Sequence, residues 1–175
     1  VELSIEKFFN NSYYFLINMS LFQSEYKTLE NRWRNTPYNS EYIANILVGK
    51  EFLNLGRKNN QALTVNLRVF MGGGRKIIPL RRNDQGQLDV DPANDLYWDY
   101  DKAFESSLDD LYQIDLSMSY KWNNLKTTQE LYFTISNITA AEGRISEYYD
   151  ESEAHNIGYV TQIGLFPNLM YKVYF

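Results

Sequence analysis

The sequence predicts an all-β chain, read as a transmembrane antiparallel β-barrel, and three observations predict it. The apolar residues recur with period two along most of the chain. The connections between these runs alternate between very short and very long. Aromatic residues reach 16%, with Tyr 15 ahead of Phe 10 and Trp 3, and they gather near the ends of the runs. At 175 residues the chain has the length of one ordinary domain.

The clearest run begins at Tyr112. Tyr112, Ile114, Leu116, Met118, Tyr120 and Trp122 alternate with Gln113, Asp115, Ser117, Ser119 and Lys121. That is a strand with one apolar and one wet face. Leu63, Val65, Leu67, Val69 and Met71 repeat the pattern against Thr64, Asn66 and Arg68, with Phe70 as the exception. Leu131, Phe133 and Ile135 oppose Glu130, Tyr132, Thr134 and Ser136. Near the start, Tyr13, Phe15, Ile17, Met19 and Leu21 oppose Tyr14, Leu16, Asn18, Ser20, Phe22 and Ser24. The opening VELSIEKFF reads as the tail of a strand, with Leu3 and Ile5 on one side. Residues 42–55, YIANILVGKEFLNL, are strand-like, yet neither parity is clearly the apolar one, and Lys50 with Glu51 puts a charge on each.

The short connections are rich in turn formers: Asn10-Asn11, Gly56 to Asn60, and Asn123 to Lys126. The long ones are polar and cover roughly residues 28–41, 77–107 and 138–166, beyond ordinary hairpin length. Strict alternation of the two classes suits a barrel in an asymmetric membrane, with short turns on the periplasmic side and long loops outside. Phe8, Phe9, Tyr13 and Tyr14 flank one short turn, and Tyr120 and Trp122 precede another, where interfacial girdles place amphipathic rings. No run approaches the ~18 apolar residues of a membrane helix, a test that strands escape by alternation.

Composition removes several classes. The net charge is 17 − 22 = −5, which argues against a nucleic-acid partner, since phosphates call for a basic face. Without cysteine, disulfide scaffolds, Cys-based zinc sites and thiol nucleophiles are out. The single histidine, His155, leaves no His-pair metal site and little room for a Ser-His-Asp triad; it reads as exposed and idle. No catalytic or metal residues are assigned, no cofactor is expected, and an enzyme is the last of the readings.

The chain opens on Val1 without an initiator Met or a signal pattern, as if cut from something longer. It closes on Leu169-Met170-Tyr171-Lys172-Val173-Tyr174-Phe175, with apolar or aromatic side chains at 169, 171, 173 and 175. A terminal Phe behind alternating apolar residues resembles the signal by which outer-membrane barrels are recognised for assembly, carried here by Leu169, Tyr171, Val173 and Phe175. Further matches come in order: Lys27 to Asn35 as a loop entry, then Gly49-Lys50-Glu51-Phe52, Leu63 to Arg68 and Gly72-Gly73-Gly74-Arg75 as a hairpin. Leu131 to Thr139 follows as a penultimate strand, and Gly164-Leu165-Phe166-Pro167-Asn168 as the entry to the last.

Over essentially its whole length the chain thus resembles the carboxyl-terminal portion of the β-barrel of a TonB-dependent receptor, of the kind common in Bacteroidota. The resemblance implies a carboxyl-terminal segment of about seven strands from a 22-stranded barrel closed around an amino-terminal plug, which this chain lacks. It implies a bacterial outer-membrane location and import of a scarce solute such as a siderophore, haem, cobalamin, glycan or peptide. The implied partners are outer-membrane lipid, the remainder of the barrel and its plug, the TonB complex through that plug, and a surface lipoprotein in glycan-importing relatives. The competing readings are a small stand-alone outer-membrane barrel with a structural or adhesive role, and a soluble β-sandwich or lipocalin-like binder.

On this reading Arg68, Asp115, Lys121, Glu130 and Lys172 face the lumen, because a Lys or Arg on the lipid face costs about 2–4 kcal/mol at mid-depth. They belong to a solvated wall, with contact to plug or solute as the sharper alternative. Tyr97, Trp98 and Tyr100 are the candidate solute or loop contacts. Asp89, Asp91, Asp95, Asp99 and Asp101 beside them read as a solvated acidic loop, since DVDPAND lacks the Gly and terminal Glu of a calcium-binding EF-hand loop. Glu147, Asp150 and Glu151 read likewise as surface carboxylates and not a glycosidase pair. Asn137-Ile138-Thr139 fits a glycosylation sequon without force in a bacterial outer membrane. Gly72-Gly73-Gly74 reads as a flexible rim, not a phosphate cradle.

Overall fold

Thirteen strands make up the computed structural model, which describes residues 1–175 with the side chain of Ala154 excepted. They are β1 (Glu2–Asn10), β2 (Tyr13–Leu21), β3 (Glu25–Lys27), β4 (Trp33–Asn35), β5 (Tyr42–Leu55), β6 (Gln61–Gly72) and β7 (Lys76–Ile77). β8 (Ser106–Ser107), β9 (Leu111–Asn123), β10 (Thr128–Ser136), β11 (Arg144–Tyr149), β12 (Ile157–Thr161) and β13 (Phe166–Tyr174) follow. Seven of them form one antiparallel sheet in the order β1-β2-β5-β6-β9-β10-β13. The sheet is a pure meander and it is open, with β1 and β13 as its edges. The remaining six pair as β3–β4, β7–β8 and β11–β12, one small ladder in each long connection. Among the described residues no helix is long and apolar enough to cross a membrane.

The short connections are tight for a local reason. Asn11 and Ser12, between β1 and β2, have φ of 55° and 65°. Positive φ at both central residues is what a two-residue hairpin needs to match strand twist, and Asn accepts it readily. All three short turns lie at one end of the sheet and all three long connections at the other.

Register turns the alternation into two faces. Phe15, Val48, Leu67, Leu116, Ile135 and Pro167 lie on one continuous row across six strands. The next row belongs to the opposite face and reads Tyr14, Gly49, Asn66, Ser117, Thr134 and Asn168. The register also resolves residues 42–55, whose parity the sequence leaves open. Ala44, Ile46, Val48 and Phe52 join the apolar face, and Leu47 and Gly49 the polar one. Gly49 is required there: a Cβ at that position would collide with the Tyr14 ring, which lies across it and donates its hydroxyl to Asn66 Oδ1 at 2.9 Å.

Nothing covers the apolar face. Leu3, Met19, Val48, Leu67, Met118, Leu131 and Leu169 are all exposed on it. Among the described residues the buried hydrophobics are Leu80 and Ala103, and both lie in the connection between β6 and β9. An ordinary sandwich or lipocalin-like fold buries one face of its sheet, so a dry core of that kind is absent from the described sheet.

The strands are also staggered. Tyr13 opens β2 opposite Lys50, and β5 runs on to Leu55, five residues further (55 − 50 = 5). At the other corner Ile135 of β10 faces Leu116, while β9 begins five residues earlier at Leu111 (116 − 111 = 5). The offset thus comes in two steps, at β2–β5 and at β9–β10, and both displace the later strands toward the short-turn end, the sense of stagger that tilted strands carry.

Candidate functional site

On the polar face the register gathers Arg68, Asp115, Lys121, Glu130 and Lys172. Arg68 faces Asp115 across β6 and β9, their side chains 3.5 Å apart. Lys121, Glu130 and Lys172 form one row over β9, β10 and β13. Glu130 accepts from the Ser119 hydroxyl, and from the Tyr174 hydroxyl at 3.2 Å. Asp115 also accepts from Gln113 Nε2 at 2.7 Å and from the Asn137 backbone N–H at 2.9 Å. Each carboxylate is thereby held by cations or donors on its own face.

The apolar face carries two charges, Lys7 and Lys50, and both bend toward the short turns. Lys7 Nζ donates to the carbonyls of Asn10 at 2.9 Å and Tyr13 at 3.1 Å. Lys50 Nζ lies 5.0 Å from the centre of the Phe52 ring, nearer the turn. A row of rings marks the same end: Tyr120 and Trp122 are 5.8 Å apart, and Trp122 and Tyr171 6.2 Å. The Tyr120 and Tyr171 hydroxyls donate to Gln61 and Gln129, each at 2.6 Å. These side chains keep an apolar body on the sheet and a polar tip at its rim.

Of the residues at the carboxyl end, Leu169, Tyr171 and Val173 project from edge strand β13 on the apolar face, and Phe175 follows the strand fully exposed. Every residue of β13 is exposed. Its outer backbone edge has no partner in the sheet.

At the other end the three long connections fold together into a lobe. Residues 22–41 reach residues 73–110 through Arg34 Nη1 to Tyr100 O and Asn35 Nδ2 to Phe104 O, both 3.0 Å. Lys76 and Glu41 pair at 3.0 Å. Residues 137–165 are fastened by Arg144, whose Nε and Nη2 donate to Asp109 at 2.8 and 2.6 Å, with its backbone N–H adding a third bond at 3.0 Å. This fork, with the backbone donor second, holds the Asp109 carboxyl down to about 2 and raises the Arg144 guanidinium. Asp110 accepts from Gly74 N–H at 2.9 Å and from Tyr42 hydroxyl at 2.8 Å.

Several sequence expectations change in this lobe. Glu147 is not a surface carboxylate: it is 5% exposed, accepts from Leu80 N–H at 2.7 Å and stands 3.7 Å from Arg82. Gly72-Gly73-Gly74 is no loose rim, because all three are buried. A Cβ at Gly73 would strike the Ser40 carbonyl and one at Gly74 the Leu108 carbonyl, so the glycines let three segments meet backbone to backbone. Asn137, given no role by its sequon match, has a structural one. It is 1% exposed at φ 52°, donates to Ala141 O and Ile163 O at 2.7 and 2.8 Å, and ties the lobe to β10. The long connections, expected as polar loops, each hold a β ladder.

The aspartate-rich stretch works locally. Asp91 and Asp99 cap short 3-10 turns, Asp91 accepting from Ala93 N–H at 3.1 Å and Asn94 Nδ2 at 2.7 Å. Among the described residues no group of three or more His, Cys, Asp or Glu is placed to hold a metal ion. The trio Tyr97, Trp98 and Tyr100 is divided. Tyr97 packs against Tyr149 with ring centres 5.8 Å apart. Trp98 and Tyr100 line an open cleft of about 260 Å³ together with Phe104, Arg75, Ile145 and Glu147, so every long connection contributes once Pro37 is included. This cleft, preformed and mixed in polarity, is the candidate binding site.

Sequence reasoning missed Arg75, Phe104, Asp109, Arg144 and Glu147 as parts of this lobe, since their partners lie tens of residues away. No protein-family model, curated protein or solved structure matches the chain.

Proposed function

We propose that the chain is a stretch of wall and extracellular loops of a TonB-dependent outer-membrane receptor, importing a scarce solute across the bacterial outer membrane. The single observation that carries this reading is the sheet's uncovered apolar face, whose only charges are Lys7 and Lys50, with ammonium groups that reach the short-turn rim. Lipid is the solvent that makes such a face favourable, and lysines near an interface extend their charge toward water.

Dimensions support it. From Tyr112 to Trp122 are ten steps (122 − 112 = 10) of one strand, about 34 Å at ~3.4 Å per residue. Tilted by ~40° they rise about 26 Å, against an outward apolar band of ~25 Å. The polar face then lines the lumen, with Arg68, Asp115, Lys121, Glu130 and Lys172 on it. The two free edges join the remainder of the barrel, and TonB acts through a plug carried outside this segment. In this role the chain binds and positions solute without chemistry of its own.

The test is the intact mass of the native polypeptide extracted in detergent from the outer membrane of its source cells. The reading expects a mass several times the 20.7 kDa of this chain, and uptake that stops when TonB is removed. Recovery from the aqueous fraction at 20.7 kDa contradicts it.

A further inference from the structure

The polar face departs from its pattern at the long-loop end. Ile43, Phe70 and Leu111 stand there where Asn, Ser and Thr hold the equivalent places elsewhere. With Phe22 and Tyr38 they form an open trough of about 550 Å³. Pro37, Arg75 and Ile145 line both this trough and the cleft of Trp98, Tyr100 and Phe104. The trough and the cleft therefore adjoin, with Arg75 in the wall they share.

Charge around that shared wall is already matched, apart from Arg75. Glu147 is held by Leu80 N–H and Arg82, Lys76 by Glu41, Asp109 by Arg144, and Asp110 by Gly74 N–H and Tyr42. The Arg75 side chain has no hydrogen bond or ion pair among the described residues, and the residue is exposed. Guanidinium presents a planar fork that a carboxylate fills with two parallel bonds. Phosphate fits the fork as well, but it carries close to two charges, and a single guanidinium matches only one of them.

We propose that the trough binds an apolar carboxylate, its monoanionic head on Arg75 and its body among Phe70, Ile43 and Leu111. A peptide carboxyl terminus and a free aryl or alkyl acid share this chemistry. The proposal rests on the functional reading only in taking the long-loop end to face the outside medium.

Equilibrium dialysis of the full chain in its native membrane tests it, with N-acetyl-L-phenylalanine as probe and the neutral N-acetyl-L-phenylalaninamide as control. The acid is expected to bind about tenfold tighter than the amide, the scale of one desolvated charge-assisted pair. Arg75→Gln should erase that preference while leaving amide binding unchanged. Phe70→Ser should weaken both probes together, with the electrophoretic migration of the folded chain as a check on folding. Equal binding of acid and amide, or binding of neither, overturns the proposal. A blocked dipeptide acid and a simple aryl acid, run in parallel, tell the two sources apart. Fractionation of the same preparation separates this inference from the functional reading. A chain in the membrane that binds neither probe sinks the carboxylate proposal alone; an aqueous chain that prefers the acid sinks the membrane reading alone.

Discussion

The sheet and the long-loop lobe solve the burial problem in opposite ways. The sheet is the larger and more regular part, yet its apolar face holds no buried hydrophobic residue. The irregular lobe contains Ala103 at 7% exposure and Leu80 at 1%, whose N–H donates to the buried carboxylate of Glu147. Regularity in the sheet comes from backbone ladders, and its side chains wait for an external solvent. Order in the lobe comes from polar contacts that are specific and already satisfied: the Arg144–Asp109 fork, Glu147 on Leu80 N–H, and Asn137 on two carbonyls. One region is finished by its surroundings and the other finishes itself. That division is what the proposed receptor reading requires, with a wall in lipid and outer loops that hold a shape in water.

Substitutions should separate the two regions, and the largest effect belongs to the wall. Leu67→Arg or Leu116→Arg puts a charge in the middle of the apolar face, at a cost of about 2–4 kcal/mol if that face meets lipid. Loss of folded material from the outer membrane, read by the heat-dependent shift in electrophoretic migration, is the expected outcome. Ser117→Arg on the opposite face should assemble. If all three assemble equally, the two faces do not differ in solvent.

Glu147→Ala comes next and should act on the lobe alone. It leaves Leu80 N–H and Arg82 without their acceptor, a desolvation cost of about 1–3 kcal/mol. Amide exchange at Leu80 should rise by one to two orders of magnitude while β6 and β9 exchange as before. Exchange spreading into the sheet would mean that the regions are not independent.

Gly49→Ala probes the wall at a single contact. The added methyl meets the Tyr14 ring, with an overpacking cost of about 1–3 kcal/mol. The double variant Tyr14→Ala/Gly49→Ala should recover most of the loss in a thermal melt, and failure to recover would place the strain elsewhere.

The smallest effect concerns acid. Asp109 is held at about 2, below its ordinary range, so the fork to Arg144 contributes its full share above roughly pH 4 and loses it as pH falls through 2. Proteolysis of residues 137–165 by an acid-stable protease should stay slow at pH 4 and accelerate near pH 2. In Asp109→Asn it should be fast at both.

The sequence made the wall legible wherever both faces had distinct chemistry. The run from Tyr112 to Trp122 alternates without exception, and β9 follows it from Leu111 to Asn123. Residues 42–55 resisted because Leu47 and Lys50 each sit on the face opposite to their type, and only pairing with β2 and β6 resolves them. In the lobe, ladders of two to six residues are too short to display a period. Glu147 looked like one more acidic surface residue because the N–H it accepts from lies 67 positions away. Asn137 matched a familiar sequon, while its left-handed φ and its two carbonyl partners belong to the fold and not to the motif. Trp98 and Tyr100 stand out in the sequence for their rings, and both line the cleft, whereas Arg75 has no mark in the sequence beyond its place after three glycines.

The most direct test of the central idea, that the apolar face meets lipid, uses the absence of cysteine from the chain. Single variants Leu67→Cys, Leu116→Cys, Asn66→Cys and Ser117→Cys, spin-labelled in native outer membranes, report relaxation by oxygen, which concentrates in lipid, and by a water-soluble nickel chelate. The account predicts that positions 67 and 116 respond to oxygen and not to the chelate, with positions 66 and 117 doing the reverse. Equal response of all four labels to the chelate would contradict it.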